Sequence, residues 1–348
     1  MHRFLSSALV ALLLFSLPAC GPDESAGVEG DAAEPGELVV YAGRRQALVE
    51  AAIDRFREDT GIDVQARFGN DAELLAALEE EGDRSEADLF WANTSGALGA
   101  AANAGLLTPL PDSILQMPEA FVPQSGLWVP VTVRFRVLAY DPADVDDAAL
   151  PSSVLDLPQR TDLRGRIGWT PTYSSFQDFV TALSIEEGED ATRAWLEGMQ
   201  ELEPKAYGSN TPMLEALAAG EIDVALTNHY YVLRMLQGEG VSDGEPPVAL
   251  HRFAPGDVGN LALVTGAGML ETATNRENAA RFLSYLLSEE AQAYAAETVY
   301  EYPVIRGVDL PDYFLPFDEA IGLSPDLDFG ALRDMEGTLQ LLREEELL

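Results

Sequence analysis

Short apolar runs alternate with stretches of helical apolar spacing along the first hundred residues. The run at 38–41 stops at Gly43, and the apolar positions that follow recur every three or four residues up to Thr60. A short apolar run has the length of a buried strand, whereas the longer spacing gives a helix one apolar face. The pattern predicts, in order, the strand 38–41, the helix 46–60, the strand 62–68, the helix 71–80, the strand 87–91 and the helix 96–104.

A second block repeats this order after a long extended run. Residues 128–140 form the run, and their Val, Thr, Phe and Arg content is typical of a strand that crosses between two lobes. The block predicts the strand 166–169, the helices 176–186, 191–200 and 212–219, the strand 224–226, the helix 229–237 and a returning strand at 261–264. Further helices are predicted at 275–287, 289–296 and 332–347.

This order predicts an α/β fold with two lobes that close like a clamshell. Each lobe is expected to hold a mainly parallel sheet flanked by helices, because parallel strands need long crossover connections, and two extended crossovers join the lobes. We assign residues 37–134 plus 262–311 to lobe 1 and residues 135–261 plus 312–348 to lobe 2. Ligands of such sheets lie at the carboxyl ends of the strands, so a ligand is expected between the lobes.

The amino-terminal residues have the pattern of an export signal. His2 and Arg3 precede an apolar stretch too short to span a bilayer, which ends at Ala19 and Cys20. Cys20 is the only cysteine, and the small residue before it resembles the site where bacterial lipoproteins are cut and acylated. We expect a signal peptide at 1–19 and a lipidated, flexible tether at 20–36, in the periplasm or at the cell surface. An ordinary secretory signal with an incidental cysteine is the alternative.

The charge balance and the absence of two motifs argue against several functions. The chain has 59 Asp and Glu against 21 Lys and Arg, a net charge of −38 at pH 7, which argues against nucleic acid as a partner. Neither an H-E-x-x-H pair nor a phosphate-binding P-loop occurs in the sequence. The absence of these motifs favours a binding protein over an exported hydrolase. Membrane contact is expected through the lipid on Cys20 alone.

Two adjacent tyrosines open a predicted helix directly after a buried strand. Tyr230 and Tyr231 follow Asn228 and His229, at the end of the strand 224–226. A phenolate is an anionic oxygen ligand of the type a small, hard trivalent cation prefers, and the cation must lower the phenol pKa from about 10. By itself the pattern favours two ordinary aromatics, one in the core and one at the surface. Because neighbouring helix residues point in different directions, His229 is expected to face away from the ligand.

From about residue 38 to residue 308 the chain resembles the ferric-iron-binding proteins of bacterial ABC importers. The segments that carry the resemblance are V-Y-A-G-R-R at 40–45, D-L-F-W at 88–91, G-W-T-P-T at 168–172, S-F-Q at 175–177 and, most specifically, N-H-Y-Y at 228–231. The resemblance implies a type II periplasmic-binding-protein fold and a monomer whose Tyr230 and Tyr231 coordinate Fe(III). It also implies a separate ABC permease and ATPase as partners.

The chain departs from these proteins at two further ligand positions. Where they usually have a His and a Glu, this chain has Arg45 and Asn93. A guanidinium is a permanent cation without a lone pair to donate, so Arg45 does not suit iron. We expect either fewer protein ligands or an iron that arrives complexed, with an anionic chelator that pairs with Arg44 or Arg45.

An anion site is predicted beside the tyrosines. Thr172, Ser174 and Ser175 lie between a strand and a helix start, where free N–H groups and the helix dipole favour a negative group. The resemblance implies that this loop, with Asn210 and Asn228, holds a synergistic anion such as phosphate, carbonate or a citrate-like molecule. Capping of the helix by its own Ser and Thr side chains is the alternative.

Tyr173, in the same loop, has two open interpretations. It is either a third phenolate that replaces a missing ligand or a lid residue with its hydroxyl in water. The expected function is a lipid-anchored receptor that captures Fe(III) with an anion and delivers it to a permease. A receptor for an anionic organic solute or an iron chelate, without tyrosine coordination, is the alternative.

Overall fold

The computed structural model describes residues 36–117, 123–238, 248–333 and 335–348. The predicted signal peptide at 1–19, the lipidation site Cys20 and nearly all of the tether lie outside the described residues. Within the described ranges, no helix is both long and apolar enough to cross a membrane.

Strands and helices alternate along the described residues. The strands are β1 (Glu37–Ala42), β2 (Asp63–Phe68), β3 (Leu89–Ala92), β4 (Trp128–Tyr140), β5 (Ile167–Trp169), β6 (Lys205–Ala206), β7 (Val224–Asn228), β8 (Ala249–His251), β9 (Ala262–Met269) and β10 (Tyr302–Pro303). The helices are α1 (Gln46–Thr60), α2 (Asp71–Glu81), α3 (Ser95–Asn103), α4 (Ser174–Glu187), α5 (Glu189–Glu201), α6 (Asn210–Ala218), α7 (His229–Gln237), α8 (Arg276–Leu286), α9 (Glu289–Tyr294), α10 (Phe317–Leu323) and α11 (Met335–Glu344). Each predicted element is present, whereas β6, β8, β10 and α10 were not predicted.

Local signals explain where the first helices begin and end. α1 ends at Gly61, which has a left-handed φ of 72° and donates its N–H to the Arg57 carbonyl. α2 begins with a capping box, in which Asn70 Oδ1 accepts from the Glu73 N–H at 2.9 Å and the Glu73 carboxylate accepts from the Asn70 N–H at 3.3 Å. These caps satisfy backbone groups that have no partner inside the helix.

The sheet follows one path through β4. The strand order is β2-β1-β3-β9-β4-β7-β5-β6, and β8 and β10 also pair with β4. The pairs β1–β2, β1–β3, β5–β6 and β5–β7 are parallel, whereas β4 and β9 run antiparallel to their neighbours. Residues 128–135 of β4 pair with β9 and residues 136–140 pair with β7, so β4 belongs to both halves of the sheet. The predicted α/β fold class is confirmed.

The lobe boundaries depend on where the returning strand β9 pairs and on where the C-terminal segment packs. β9 pairs only with β3 and β4 within the described residues, so the returning strand lies in the first half of the sheet. Residues 329–333 pack against α3, whereas α11 packs against α4. The C-terminal segment therefore contacts helices that follow strands of both halves. The division into 37–134 plus 262–311 and 135–261 plus 312–348 stays a prediction.

Separate apolar cores hold the two halves of the sheet against their helices. In the first half, the rings of Phe56 and Phe282 meet edge to face at 4.9 Å between α1 and α8. In the second half, Trp169 at the end of β5 meets Phe176 of α4 at 5.7 Å. Because buried aromatic contacts of this kind fix a helix on its sheet, the loops that leave β1, β3, β5 and β7 have defined positions.

Candidate functional site

The loops that follow β1, β3, β5 and β7 converge on one cavity of about 660 Å³. Parallel strands end at the same edge of a sheet, so residues distant in sequence meet there. The cavity brings together eight residues that the sequence singled out: Arg44, Arg45, Asn93, Thr172, Tyr173, Ser174, Tyr230 and Tyr231.

Three tyrosines form the polar centre of this cavity. Tyr230 and Tyr231 lie in the first turn of α7, with ring centroids 4.1 Å apart and planes inclined at 31°. Tyr173, directly before α4, places its hydroxyl 2.9 Å from the Tyr231 hydroxyl. The hydroxyl of Tyr173 therefore contacts a tyrosine of another helix, a position that suits the predicted third phenolate.

Burial and mutual repulsion keep the phenols of Tyr230 and Tyr173 protonated in the absence of a cation. Burial raises the pKa of Tyr230 well above its ordinary value, and ionisation of Tyr231 or Tyr173 would raise it further, whereas Arg134 lowers it. The pKa of Tyr173 is raised by burial first and by Tyr231 second. A cation that binds here must displace phenol protons, so binding releases protons and weakens as the pH falls.

His229 points away from the cavity, as the sequence predicts. Its ring is buried, and Nδ1 accepts a hydrogen bond from the backbone N–H of Phe135 at 3.0 Å. Burial lowers the pKa of His229 to about 3, so the imidazole is neutral at physiological pH. His229 thus ties the start of α7 to β4 and sets the orientation of the tyrosine turn.

Arg44 differs from the prediction that it offers a free positive charge to an anion. Its Nη2 lies 2.8 Å from a carboxylate oxygen of Glu301, and its Nη1 donates to Thr132 at 3.1 Å and to Thr265 at 3.0 Å. Both members of the ion pair are buried. Arg44 lines the cavity, but Glu301 already compensates its charge. A buried guanidinium without a counterion would carry a large desolvation cost, so this pair is needed for stability.

Arg45 and Arg234 are two cavity arginines without an ion pair in the part of the chain that the structure describes. Arg45 is exposed at the start of α1, and Arg234 is half-buried one turn after Tyr230. Neither makes an ion pair with a carboxylate within the described ranges. The Arg234 guanidinium lies 5.3 Å from the ring centroid of Tyr230 and 5.7 Å from that of Tyr231. Arg234 was not predicted as a site residue. Its spacing of four residues from Tyr230 nevertheless places both side chains on one helix face.

The predicted anion loop forms the turn before α4. Thr172 and Ser174 line the cavity, and Ser175 is buried with a hydroxyl that has no partner among the described residues. The first N–H groups of a helix have no acceptor inside the helix, which gives this turn a partial positive charge. The placement fits an anion next to Tyr173, and the role of the loop stays a prediction.

Asn210 and Asn228 are both buried, and neither lines the cavity. Asn210 begins α6, and neither atom of its amide has a partner within the described residues. Asn228 precedes α7, and its Oδ1 accepts from Arg136 Nη1 at 3.2 Å. Buried polar groups without partners are costly and mark sites that solvent or a ligand satisfies. Among the described residues, Asn210 therefore has an unused donor and acceptor, whereas Asn228 contacts β4.

Asn93 connects the two halves of the sheet. Its side-chain nitrogen lies 3.4 Å from Ser174 Oγ, and Arg134 donates to its Oδ1 at 3.2 Å and to its backbone carbonyl at 2.7 Å. Arg134 is buried in β4, and its positive charge lowers the pKa of both Tyr173 and Tyr230. Asn93 therefore orients Arg134, whose charge favours the phenolate form of the tyrosines.

Comparisons with known proteins agree with this arrangement. The model of the bacterial extracellular solute-binding protein family matches residues 38–300. The chain belongs to this family. The Fe(3+)-binding periplasmic protein of Serratia marcescens is 31% identical over 92% of this chain and 94% of its own length.

Two solved structures show how closely this solute-binding protein matches others. Iron-bound HitA from Pseudomonas aeruginosa has a TM-score of 0.82 and 33% identity, over 89% of this chain and 99% of that one. The Trichodesmium protein IdiA (FutA), in complex with iron and citrate, has a TM-score of 0.77 and 26% identity, over 90% of this chain and 100% of that one.

Two carboxyl groups in this solute-binding protein, one half-buried and one buried, have raised pKa values. Asp71 lines the cavity, and its carboxylate accepts from the Asn93 N–H and from Thr94 Oγ1, both at 2.9 Å. Burial raises its pKa to about 6. Asp178 of α4 is buried with no partner for either oxygen in the described residues, and burial raises its pKa to about 7 despite Arg134 and Arg136 nearby.

Asp178→Asn should stabilise the protein at alkaline pH and leave its stability unchanged near pH 4. The pKa of Asp178 is raised in the folded state to about 7, so its contribution is fully present below the unfolded value and is lost as the pH rises through about 7. The variant should gain about 4 kcal/mol over the wild type at pH 8. Urea unfolding of both proteins from pH 4 to pH 8 measures the difference.

Asp309→Asn is the matched control, because Asp309 is exposed and its replacement removes the same formal charge. Its stability difference from the wild type should change little with pH. A difference between wild type and Asp178→Asn that stays constant over this pH range would contradict the assignment.

Proposed function

We propose that this solute-binding protein captures Fe(III) together with an anion and delivers the iron to an ABC permease. The observation that best supports this proposal is the tyrosine cluster. In it, the hydroxyls of Tyr173 and Tyr231 lie 2.9 Å apart, and the ring of Tyr230 lies beside that of Tyr231. Relatives named for Fe(3+) binding, and a solved relative in complex with iron and citrate, support the same cargo.

The donor set suits a trivalent iron. Fe(III) prefers anionic oxygen ligands, and three phenolates would balance its charge. The phenols of Tyr230 and Tyr173 are protonated before binding, because burial raises their pKa values. The cation therefore replaces a proton on each tyrosine it binds, and Arg134 favours the phenolate form of both. Coordination by Tyr230, Tyr231 and Tyr173 follows as the expected mode.

A synergistic anion would occupy the side of the iron that faces the α4 turn. Thr172, Ser174 and Ser175 offer hydroxyl and backbone donors, and Arg45 adds a positive charge at the cavity. Asn210 and Asn228 are expected to assist from their buried positions. Phosphate, carbonate and citrate-like anions all present oxygens to such donors.

Export and delivery complete the proposal. Acylation at Cys20 would anchor the protein in the periplasm or at the cell surface, with the tether 20–36 leaving the folded part free to reach the permease. The receptor acts as a monomer without enzymatic activity of its own, and a separate ATPase drives import. Cargo would bind between the lobes and favour their closure.

A visible absorption band tests the mode of coordination. Metal-stripped protein mixed with ferric citrate should turn red, because phenolate-to-iron charge transfer absorbs visible light. Arg45 and Arg234 favour a second candidate, a receptor for an anionic organic solute or chelate without tyrosine coordination, since both lack a carboxylate partner in the described residues. Tight binding by a protein that stays colourless would support that candidate.

Arg45→Ala should weaken ferric citrate binding about 3- to 10-fold through the lost pairing with the anion. Arg45 is exposed, so the effect should shrink as salt screens the charge. Calorimetric titration at two ionic strengths measures both effects. Arg281→Ala is the matched control, because Arg281 is exposed on α8 outside the cavity. Equal affinities of the two variants would remove Arg45 from the anion site.

A further inference from the structure

The short helical segment Phe329–Arg333, before α11, contacts both halves of the sheet. The Leu332 side chain is buried in the apolar core around α4 and α5, whereas its backbone carbonyl lies against α3. Phe329 packs against a different core cluster, which includes Ala97 and Leu98 of α3. The segment therefore joins two parts of the molecule that would separate if the cavity opened.

Two glycines of α3 let this segment approach closely. A side chain at Gly96 would place its Cβ 2.6 Å from the Leu332 carbonyl oxygen. A side chain at Gly99 would place its Cβ 2.9 Å from Arg333 Cβ. Apart from α3 itself, the atoms nearest to both positions belong to the C-terminal segment. Glycine inside a helix is less favourable than alanine, so α3 loses helix stability at the two positions where this contact requires it.

α11 holds the other end of the segment on the second half of the sheet. The Thr338 and Thr181 hydroxyls lie 2.6 Å apart between α11 and α4. Arg193 of α5 forms ion pairs with Glu344 at 2.8 Å and with Glu345. These polar contacts add to a buried apolar face of α11, whereas the contact with α3 is close packing over two glycines. Separation of the two halves would therefore break the α3 contact and leave α11 in place.

The same contact completes the cavity that holds the tyrosines. Met335 and Leu339 lie one turn apart on α11, and both line the cavity together with Ala97 and Ala100 of α3. The four residues come from the two sides of the contact. Movement of the segment away from α3 would therefore open the cavity lining at this point.

We propose that Phe329–Arg333 is a latch, which docks on Gly96 and Gly99 when the two halves close over the cargo and leaves α3 when they separate. The latch slows release of the cargo, because the contact must break before the cavity opens. The tyrosines determine what is bound, and the latch determines how long it stays. The test below uses Fe(III) as its probe, and in that respect the inference rests on the proposed function.

The rate of iron release tests the latch. Full-length protein loaded with Fe(III) and phosphate is mixed with an excess of a competing chelator, and the loss of the visible band is followed. Gly96→Ala should release iron at least about 5-fold faster than the wild type, the lower end of what overpacking a close contact costs. The band should keep its position, because the tyrosines are unchanged. Gly99→Ala should act in the same direction and replaces Gly96→Ala if that variant does not fold.

Gly322→Ala is the matched control, because it makes the same change at an exposed glycine of α10 where an added Cβ meets open space. This variant should release iron at the wild-type rate. Release from Gly96→Ala that is no faster than release from Gly322→Ala would overturn the inference.

Urea unfolding of the metal-free proteins distinguishes a latch from permanent packing. If the latch leaves α3 in the open protein, Gly96→Ala should have about the same free energy of unfolding as Gly322→Ala. A lower value for Gly96→Ala would show that the contact persists without cargo and would refute the latch. A wild type without a visible band would refute the proposed binding of iron by the tyrosines, and the unfolding comparison would then decide on the latch by itself.

Discussion

Tyr231→Phe should abolish most of the visible phenolate-to-iron band and weaken Fe(III) binding by at least about 100-fold. Removal of a residue that only hydrogen bonds to a metal ligand typically costs about 10- to 100-fold, and loss of the ligand itself should cost more. The Tyr231 hydroxyl is the one that contacts Tyr173, and its ring lies beside that of Tyr230, so its loss removes the centre of the cluster. Competition with a coloured chelator and a visible spectrum measure the two effects.

The matched control is Tyr313→Phe, which removes a phenol hydroxyl outside the cavity. Tyr313 packs against Tyr300 and Phe314. This variant should retain both the colour and the affinity of the wild type. If Tyr231→Phe behaves like Tyr313→Phe, the tyrosine cluster does not bind the iron.

Tyr173→Phe separates the two interpretations of that residue. If Tyr173 is a ligand, its replacement should shift the band and reduce the affinity as Tyr231→Phe does. If it only hydrogen bonds to Tyr231, the band should persist, and the affinity should fall about 10- to 100-fold, the cost of one hydrogen bond to a charged group. A lid residue with its hydroxyl in water predicts no change in either quantity.

Glu301→Gln should lower the free energy of unfolding by about 3–5 kcal/mol, the usual effect of removing one partner of a buried ion pair. Glu301 is the carboxylate that compensates Arg44, and it also accepts from Thr132. Its loss leaves the buried guanidinium uncompensated between the β1 loop and the strands β4 and β9. Urea unfolding at pH 7 measures the change.

The pH dependence of this effect has a definite sign. Burial acts to raise the pKa of Glu301, but Arg44 and Arg134 outweigh it, so the pKa lies below its ordinary value. Its stabilising contribution is therefore present above the unfolded pKa and lost as the pH falls through the folded one. The gap between wild type and Glu301→Gln should narrow in acid.

Glu203→Gln is the control for this prediction, because the Glu203–Arg164 pair at 2.7 Å is solvent-exposed. Exposed pairs contribute little, so this variant should unfold like the wild type. A loss for Glu301→Gln no larger than that for Glu203→Gln would show that the Arg44 pair is not a major source of stability. Replacing Arg44 and Glu301 together by apolar residues should restore part of the lost stability.

The tyrosine cluster and the arginines show where sequence patterns suffice. Tyr230 and Tyr231 were predicted as ligands because the N-H-Y-Y segment at 228–231 resembles that of ferric-iron-binding proteins, and local order alone brings them to the strand end. Arg44 was predicted to hold an anion, but its partner Glu301 is 257 residues away in sequence, and no local pattern indicates such a contact. Arg234 was not predicted because it lies outside the N-H-Y-Y segment at 228–231. Its spacing of four residues from Tyr230 could have indicated it.

The sequence by itself determined the order of most strands and helices, the α/β class and the loops that carry the candidate ligands. These features follow from local spacing, caps and short motifs, which depend only on residues close together in the sequence. Only the tertiary structure decided which charges are free. It paired Arg44 with Glu301, left Arg45 and Arg234 without carboxylate partners in the described residues, and brought Met335 and Leu339 to the cavity. Compensation of a charge and completion of a cavity depend on residues far apart in sequence, and packing alone brings those residues together.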